Sequence, residues 1–165
     1  MTGVQTCALP ISRLAKRDGR LVEEVYKVGG LYDREIRNIV GHLTNAIPFA
    51  PEAFARVLRA LVTWYETGLD SDRQAFDIAW VQNRDSDVDT MNGFIEVYMD
   101  ARGMKGAWEG VVYYANHEKT DKIRTLATHA QWFEDHLPID PKFRKPKVEG
   151  VSAQAIEVVI ETGDS

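Results

Sequence analysis

Two glutamates 13 positions apart, Glu96 and Glu109, are the residues of this chain whose types and spacing could do chemistry. Glu96 stands in residues 92–100 (NGFIEVYMD) and Glu109 in residues 106–114 (GAWEGVVYY), two strand-like runs joined by a glycine-containing turn. Side chains alternate along a strand, so this reading puts Phe94, Glu96 and Tyr98 on one face and Ile95, Val97 and Met99 on the other. A carboxylate between two aromatics needs solvent in a cleft or a partner, because an unpaired buried charge is costly. Two carboxylates and the Tyr98 hydroxyl in a cleft could hold a cation such as the free ammonium of a peptide. Two carboxylates at fixed separation are also what a glycosidase uses, but the sequence does not set their distance. The plainer possibility, that both glutamates sit at the solvent edge of a sheet, stays open.

Other chemistries find less support. His117 and Glu118 begin like a zinc-binding HExxH helix, but position 121 is Asp121, where a second imidazole would be needed. His129 and His136 are two helical turns apart, too far to share an ion, and read with His42 as surface or cap residues. Asp85, Asp87 and Asp89 suggest calcium, yet they lack the glycine and terminal glutamate of a helix-loop-helix site. There is no nucleophile-elbow serine and no phosphate-cradling glycine loop.

The elements that must position the glutamates are legible in outline. Residues 13–28 form a basic, helix-compatible stretch with Leu14, Leu21, Val22 and Val25 inward, ended by Gly29 and Gly30. Asp33 can cap a second helix, in which Ile36, Ile39, Val40 and Leu43 recur at helical spacing. A third helix between Pro51 and Gly68 lines up Phe54, Val57, Leu58, Leu61, Val62 and Tyr65 as core, with no chemistry assigned. Residues 71–79 could be helical or extended, with Phe76 and Trp80 packing. A fourth helix is expected over residues 118–137, with Ile123, Leu126, Ala127, Ala130, Phe133 and Leu137 as its stripe and Pro138 as its end. A buried strand is expected over residues 153–161.

The composition is that of a folded protein, 44% hydrophobic and 27% charged among 165 residues. The net charge is −5, and residues 66–100 carry nine acids against Arg73 and Arg84. Such a surface repels a phosphate backbone, so nucleic acid is not an expected partner. The one basic run, residues 142–147 (KFRKPK), reads as a solvated linker. No run reaches the roughly 20 apolar residues of a membrane span. Residues 1–12 (MTGVQTCALPIS) resemble translated sequencing-adapter DNA and are set aside; this would remove Cys7, the single cysteine, and leave a chain compatible with the cytoplasm.

Residues 92–100, the turn 103–110 (GMKGAWEG) and residues 161–165 (ETGDS) resemble the dipeptidyl peptidase III family of zinc metallopeptidases, in its bacterial branch. The resemblance runs from about Leu31 to Ser165 and rests on the GFIExYxD pattern followed by the WEG segment. It implies an α+β chain, a fragment of a two-lobed metallopeptidase in which helices pack beside part of a five-stranded β-barrel. Residues 13–70 would be a helical segment and 71–165 a mixed segment lining the substrate cleft. The resemblance gives Glu96 the substrate's α-amino group, Tyr98 its backbone, and Glu109 the place of a second carboxylate near the same subsite. Asn92, where the family varies, is counted with them. It implies zinc in the parent protein but none in this segment, because the family's HExxGH motif would lie beyond Ser165. The expected partners are short peptides with a free N-terminus, and the segment alone is expected to be inactive. The alternative is a noncatalytic peptide-binding or structural α+β module.

Overall fold

The computed structural model describes residues 12–83, 86–96, 107–150 and 153–163, with the side chain of Glu96 left out. The adapter-like residues 1–11, and Tyr98 with the rest of 97–106, lie outside the described residues; Ser12 begins the first strand.

The opening stretch corrects the helical expectation. It is an antiparallel hairpin, β1 (Ser12–Arg17) and β2 (Arg20–Val25), turning at Asp18 and Gly19. Both turn residues have positive φ, 49° and 81°, as a two-residue hairpin turn of matching twist requires. Leu14 and Leu21 are 70% exposed, so their spacing marks no core stripe. Glu24 instead ties β2 back to Arg13 and Arg17 by ion pairs.

Helix α1 (Asp33–Ala46) buries Ile36 and half-buries Ile39, Val40 and Leu43, as their spacing predicts. Asp33 does not cap it in the expected way. Its carboxylate accepts from the Gly29 amide and the Arg37 guanidinium, which hold it below its ordinary carboxyl range. A 3-10 turn (Ile47–Phe49) leads to α2 (Glu52–Thr67), which stops at Gly68 in the left-handed region at φ 66°. Phe54, Val57, Leu58, Leu61 and Tyr65 of α2 are buried, and Trp64 joins them. Residues 71–79 prove helical, within α3 (Asp70–Gln82), which places Phe76 against the same core.

The main sheet has the order β3-β4-β5, all antiparallel: β3 (Val88–Glu96), β4 (Ala107–Ala115) and β5 (Ile156–Thr162). Phe94 carries β3 into the helical core. The expected fourth helix is two helices, α4 (His117–Thr128) and α5 (Ala130–Asp135), broken at His129 with φ −100° and ψ 12°. Its apolar stripe is open: Leu126 is 58% exposed and Phe133 47%. β5 also departs from expectation, since Ile156, Val158, Val159 and Ile160 are all exposed rather than buried. No helix among the described residues is long and apolar enough to cross a membrane.

Candidate substrate-binding hairpin

The hairpin is built on the β3–β4 register. Asn92 lies opposite Gly110, Gly93 opposite Glu109 and Phe94 opposite Trp108; the register then shifts, so that Glu96 lies opposite Ala107. Two steps along β3 therefore advance one step along β4. Phe94 and Glu96 are thus paired with neighbouring residues of β4, Trp108 and Ala107. The same shift sets Glu96 across from a residue two positions from Glu109.

Glu109 is 5% exposed and is not without a partner. Gly163, beyond β5, lies over it: a Cβ at position 163 would stand 2.5 Å from the Glu109 Cβ. Asn92 is buried as well. Its Oδ1 accepts from the Tyr65 hydroxyl at 2.7 Å, and its Nδ2 donates to Thr90 Oγ1 at 3.1 Å. Most of the amide is thus engaged within the chain. Gly110 lets the Trp108 ring lie along β4, since a Cβ there would meet Trp108 Cη2 at 2.9 Å. Trp108 Nε1 donates to the Tyr65 hydroxyl at 3.0 Å.

Tyr65 is the residue that sequence reasoning treated only as core. It is 2% exposed, and burial pushes its phenol well above the ordinary range. Beside it, Tyr26, Tyr32 and Phe94 cluster around a recess of about 570 Å³ that Trp108 and Ala107 also line, with Glu35 among its walls. Toward the start of β3, Asp89 is buried and accepts from Thr90 N at 2.8 Å and from the Tyr113 hydroxyl at 3.2 Å. Burial raises the Asp89 carboxyl above its ordinary value, and burial together with that carboxylate pushes the Tyr113 phenol up to about 12.

The histidines are surface and cap residues. His117 Nε2 meets Asp87 Oδ1 at 2.7 Å, while His129 and His136 donate from Nδ1 to carbonyl oxygens four residues back. Among the described residues no group of three or more His, Cys, Asp or Glu is arranged to hold a metal ion, so they do not fit a zinc site.

Longer known proteins resemble this chain over part of their length. Dipeptidyl peptidase 3 of Dictyostelium discoideum is 30% identical over 143 residues, which are 86% of this chain and 20% of that protein. Dipeptidyl peptidase 3 of Rattus norvegicus is 29% identical over 119 residues, 72% of this chain and 16% of the relative. Among solved structures, DPP III from Caldithrix abyssi superposes with a TM-score of 0.77 at 22% identity, covering 93% of this chain and 29% of that one. Dipeptidyl-peptidase III from Corallococcus sp. strain EGB gives 0.65 at 24% identity, covering 93% and 28%. The chain thus spans a fifth or less of the length of these two curated relatives. Residues 12–164 match the model of Peptidase family M49, and the chain belongs to that family.

Proposed function

We propose that the intact protein is a zinc-dependent dipeptidyl peptidase that removes dipeptides from free peptide N-termini, and that this segment supplies the grip on the substrate's amino end. The observation that carries the reading is the β3–β4 register, which sets Glu96 opposite Ala107 and Glu109 two positions further along the same strand, in a chain of family M49. In this reading Glu96 takes the α-ammonium, Tyr98 bonds the first peptide unit, and Glu109 adds negative potential at the same end. A substrate ammonium between carboxylates makes charge-assisted bonds, and a charge held at fixed depth sets which peptide bond reaches the hydrolytic centre. Asn92 works beside them from within the sheet. Zinc, where bound in the parent protein, would supply activation of the attacking water, and no described residue of this chain is assigned as its ligand.

The test is Glu96→Ala in the full-length protein, with kcat/KM measured on a dipeptidyl arylamide and on its N-acetylated form. Losing a hydrogen-bonded charge contact is expected to cost about 2–3 kcal/mol, or roughly 30- to 150-fold, on the free-amine substrate alone. Equal losses on both substrates would remove Glu96 from the amine site.

A further inference from the structure

We propose that Tyr65 is a positioning residue for this amine grip, acting through Trp108 and Asn92 to fix the two strands that carry Glu109 and Glu96. The proposal rests on the reading given above. Its physical basis is a buried relay of hydrogen bonds whose direction is fully determined. An indole N–H can only donate, so Trp108 Nε1 donates to the Tyr65 hydroxyl. That hydroxyl has one proton and donates it to Asn92 Oδ1. The Asn92 amide is thereby oriented with its nitrogen toward Thr90 Oγ1, and Thr90 in turn donates to the Val111 carbonyl at 2.9 Å.

The relay leaves β4 at Trp108 and returns to it at Val111, so it holds the strand on both sides of Glu109. On β3 it holds Thr90 and Asn92, the residues that lead into Gly93 and the bulge before Glu96. Tyr65 links this relay to α2, where it is buried in the apolar core with Val57, Leu58 and Leu61. At 2% exposure its hydroxyl does not reach a substrate, so whatever it contributes to peptide binding passes through the strands.

Phenylalanine at position 65 would keep the ring, its volume and its stacking on Trp64 at 5.3 Å. It would also leave two groups without their partner: Asn92 Oδ1, next to Gly93, and Trp108 Nε1, next to Glu109. A buried polar group that loses its partner turns toward water where the backbone allows. Here that movement shifts the pair of residues, Gly93 and Glu109, that face each other across the hairpin.

The experiment uses the full-length enzyme as wild type, Tyr65→Phe and Glu96→Gln. Inhibition constants are measured for a free dipeptide and for the same dipeptide N-acetylated, together with KM and kcat on a dipeptidyl arylamide. For Tyr65→Phe the expected result is a fall of roughly tenfold in the preference for the free amine, a similar rise in KM and a nearly unchanged kcat. If Tyr65→Phe lowers only the melting temperature and leaves the amine preference intact, the residue is structural and the proposal is overturned. If Glu96→Gln leaves the preference intact, the amine reading itself fails, and the two failures are told apart by which variant is silent. Should Tyr65→Phe not give soluble protein, Trp108→Phe removes the 3.0 Å bond together with part of the ring that packs on the core, and a fall in amine preference with kcat nearly unchanged supports the proposal while an intact preference overturns it.

Discussion

Gly93 and Gly41 are expected to respond to the same substitution with opposite signs. At Gly93, φ is +152°, in the region that favours glycine, and a Cβ would stand 2.9 Å from both Cη2 and Cζ3 of Trp64. The indole cannot easily yield. It is 4% exposed, stacked on Tyr65 at 5.3 Å and on Phe76 at 6.2 Å, with the Arg73 guanidinium over its ring at 5.6 Å. Overpacking costs about 1–3 kcal/mol, and holding a residue with a side chain in a glycine conformation costs about 1–3 kcal/mol more. Gly93→Ala should therefore destabilise by about 2–6 kcal/mol, a large fraction of the 5–15 kcal/mol typical of a domain. Gly41 lies on the exposed side of α1, and a Cβ there meets nothing within 4 Å. Gly41→Ala should stabilise by about 0.5–1 kcal/mol through helix propensity and a less disordered unfolded chain. Urea unfolding followed by tryptophan fluorescence measures both. A Gly93→Ala cost below about 1 kcal/mol, or the same sign for both variants, would refute the packing argument.

Two further outcomes follow from buried and capping groups. Because burial holds the Asp89 carboxyl above its ordinary 3.8, the folded chain binds that proton more tightly than the unfolded chain does. Its contribution to stability accordingly falls as pH rises from 3.8 through the raised folded value, and the penalty is complete above both. Asp89→Asn should raise the urea midpoint at neutral pH and show less advantage in acid; a difference that does not change with pH would contradict this. Asn116 caps α4 by accepting from Lys119 N and donates to Glu157 of β5, each at 2.9 Å. Asn116→Ala should cost about 1–2 kcal/mol and speed amide exchange in both elements, whereas an effect confined to α4 would remove the link to β5.

Helix α2 was readable because its apolar period runs for 16 residues between a proline start and a glycine stop. The β1–β2 hairpin was not, because its charged strands also fit a helix. Its signal lay in the turn: Asp followed by Gly is the pair that tolerates two consecutive positive φ values. The stripe over residues 118–137 was correctly apolar, yet no periodicity reveals a break at His129, nor that the described residues leave Leu126 and Phe133 open. In the hairpin, the types and strand positions of Glu96 and Glu109 were legible, but the bulge was not, since the connection is too long to set a register. Tyr65 escaped notice for a different reason. A phenol on an apolar stripe looks like core, and the partners of its hydroxyl are 27 and 43 residues away, beyond any local pattern.

That hydroxyl also couples the folding of two parts of the chain. Helix α2 can form locally, and β3 and β4 can pair by themselves, but Asn92 Oδ1 and Trp108 Nε1 gain the Tyr65 hydroxyl only when helix and sheet meet. Separating the two would strand polar groups on both, so a local opening that frees one exposes the other at added expense. The helix and the hairpin should thus behave as a single cooperative unit, whereas β1 and β2, a two-stranded ladder separate from the main sheet with ion pairs of low worth across it, are free to fray alone.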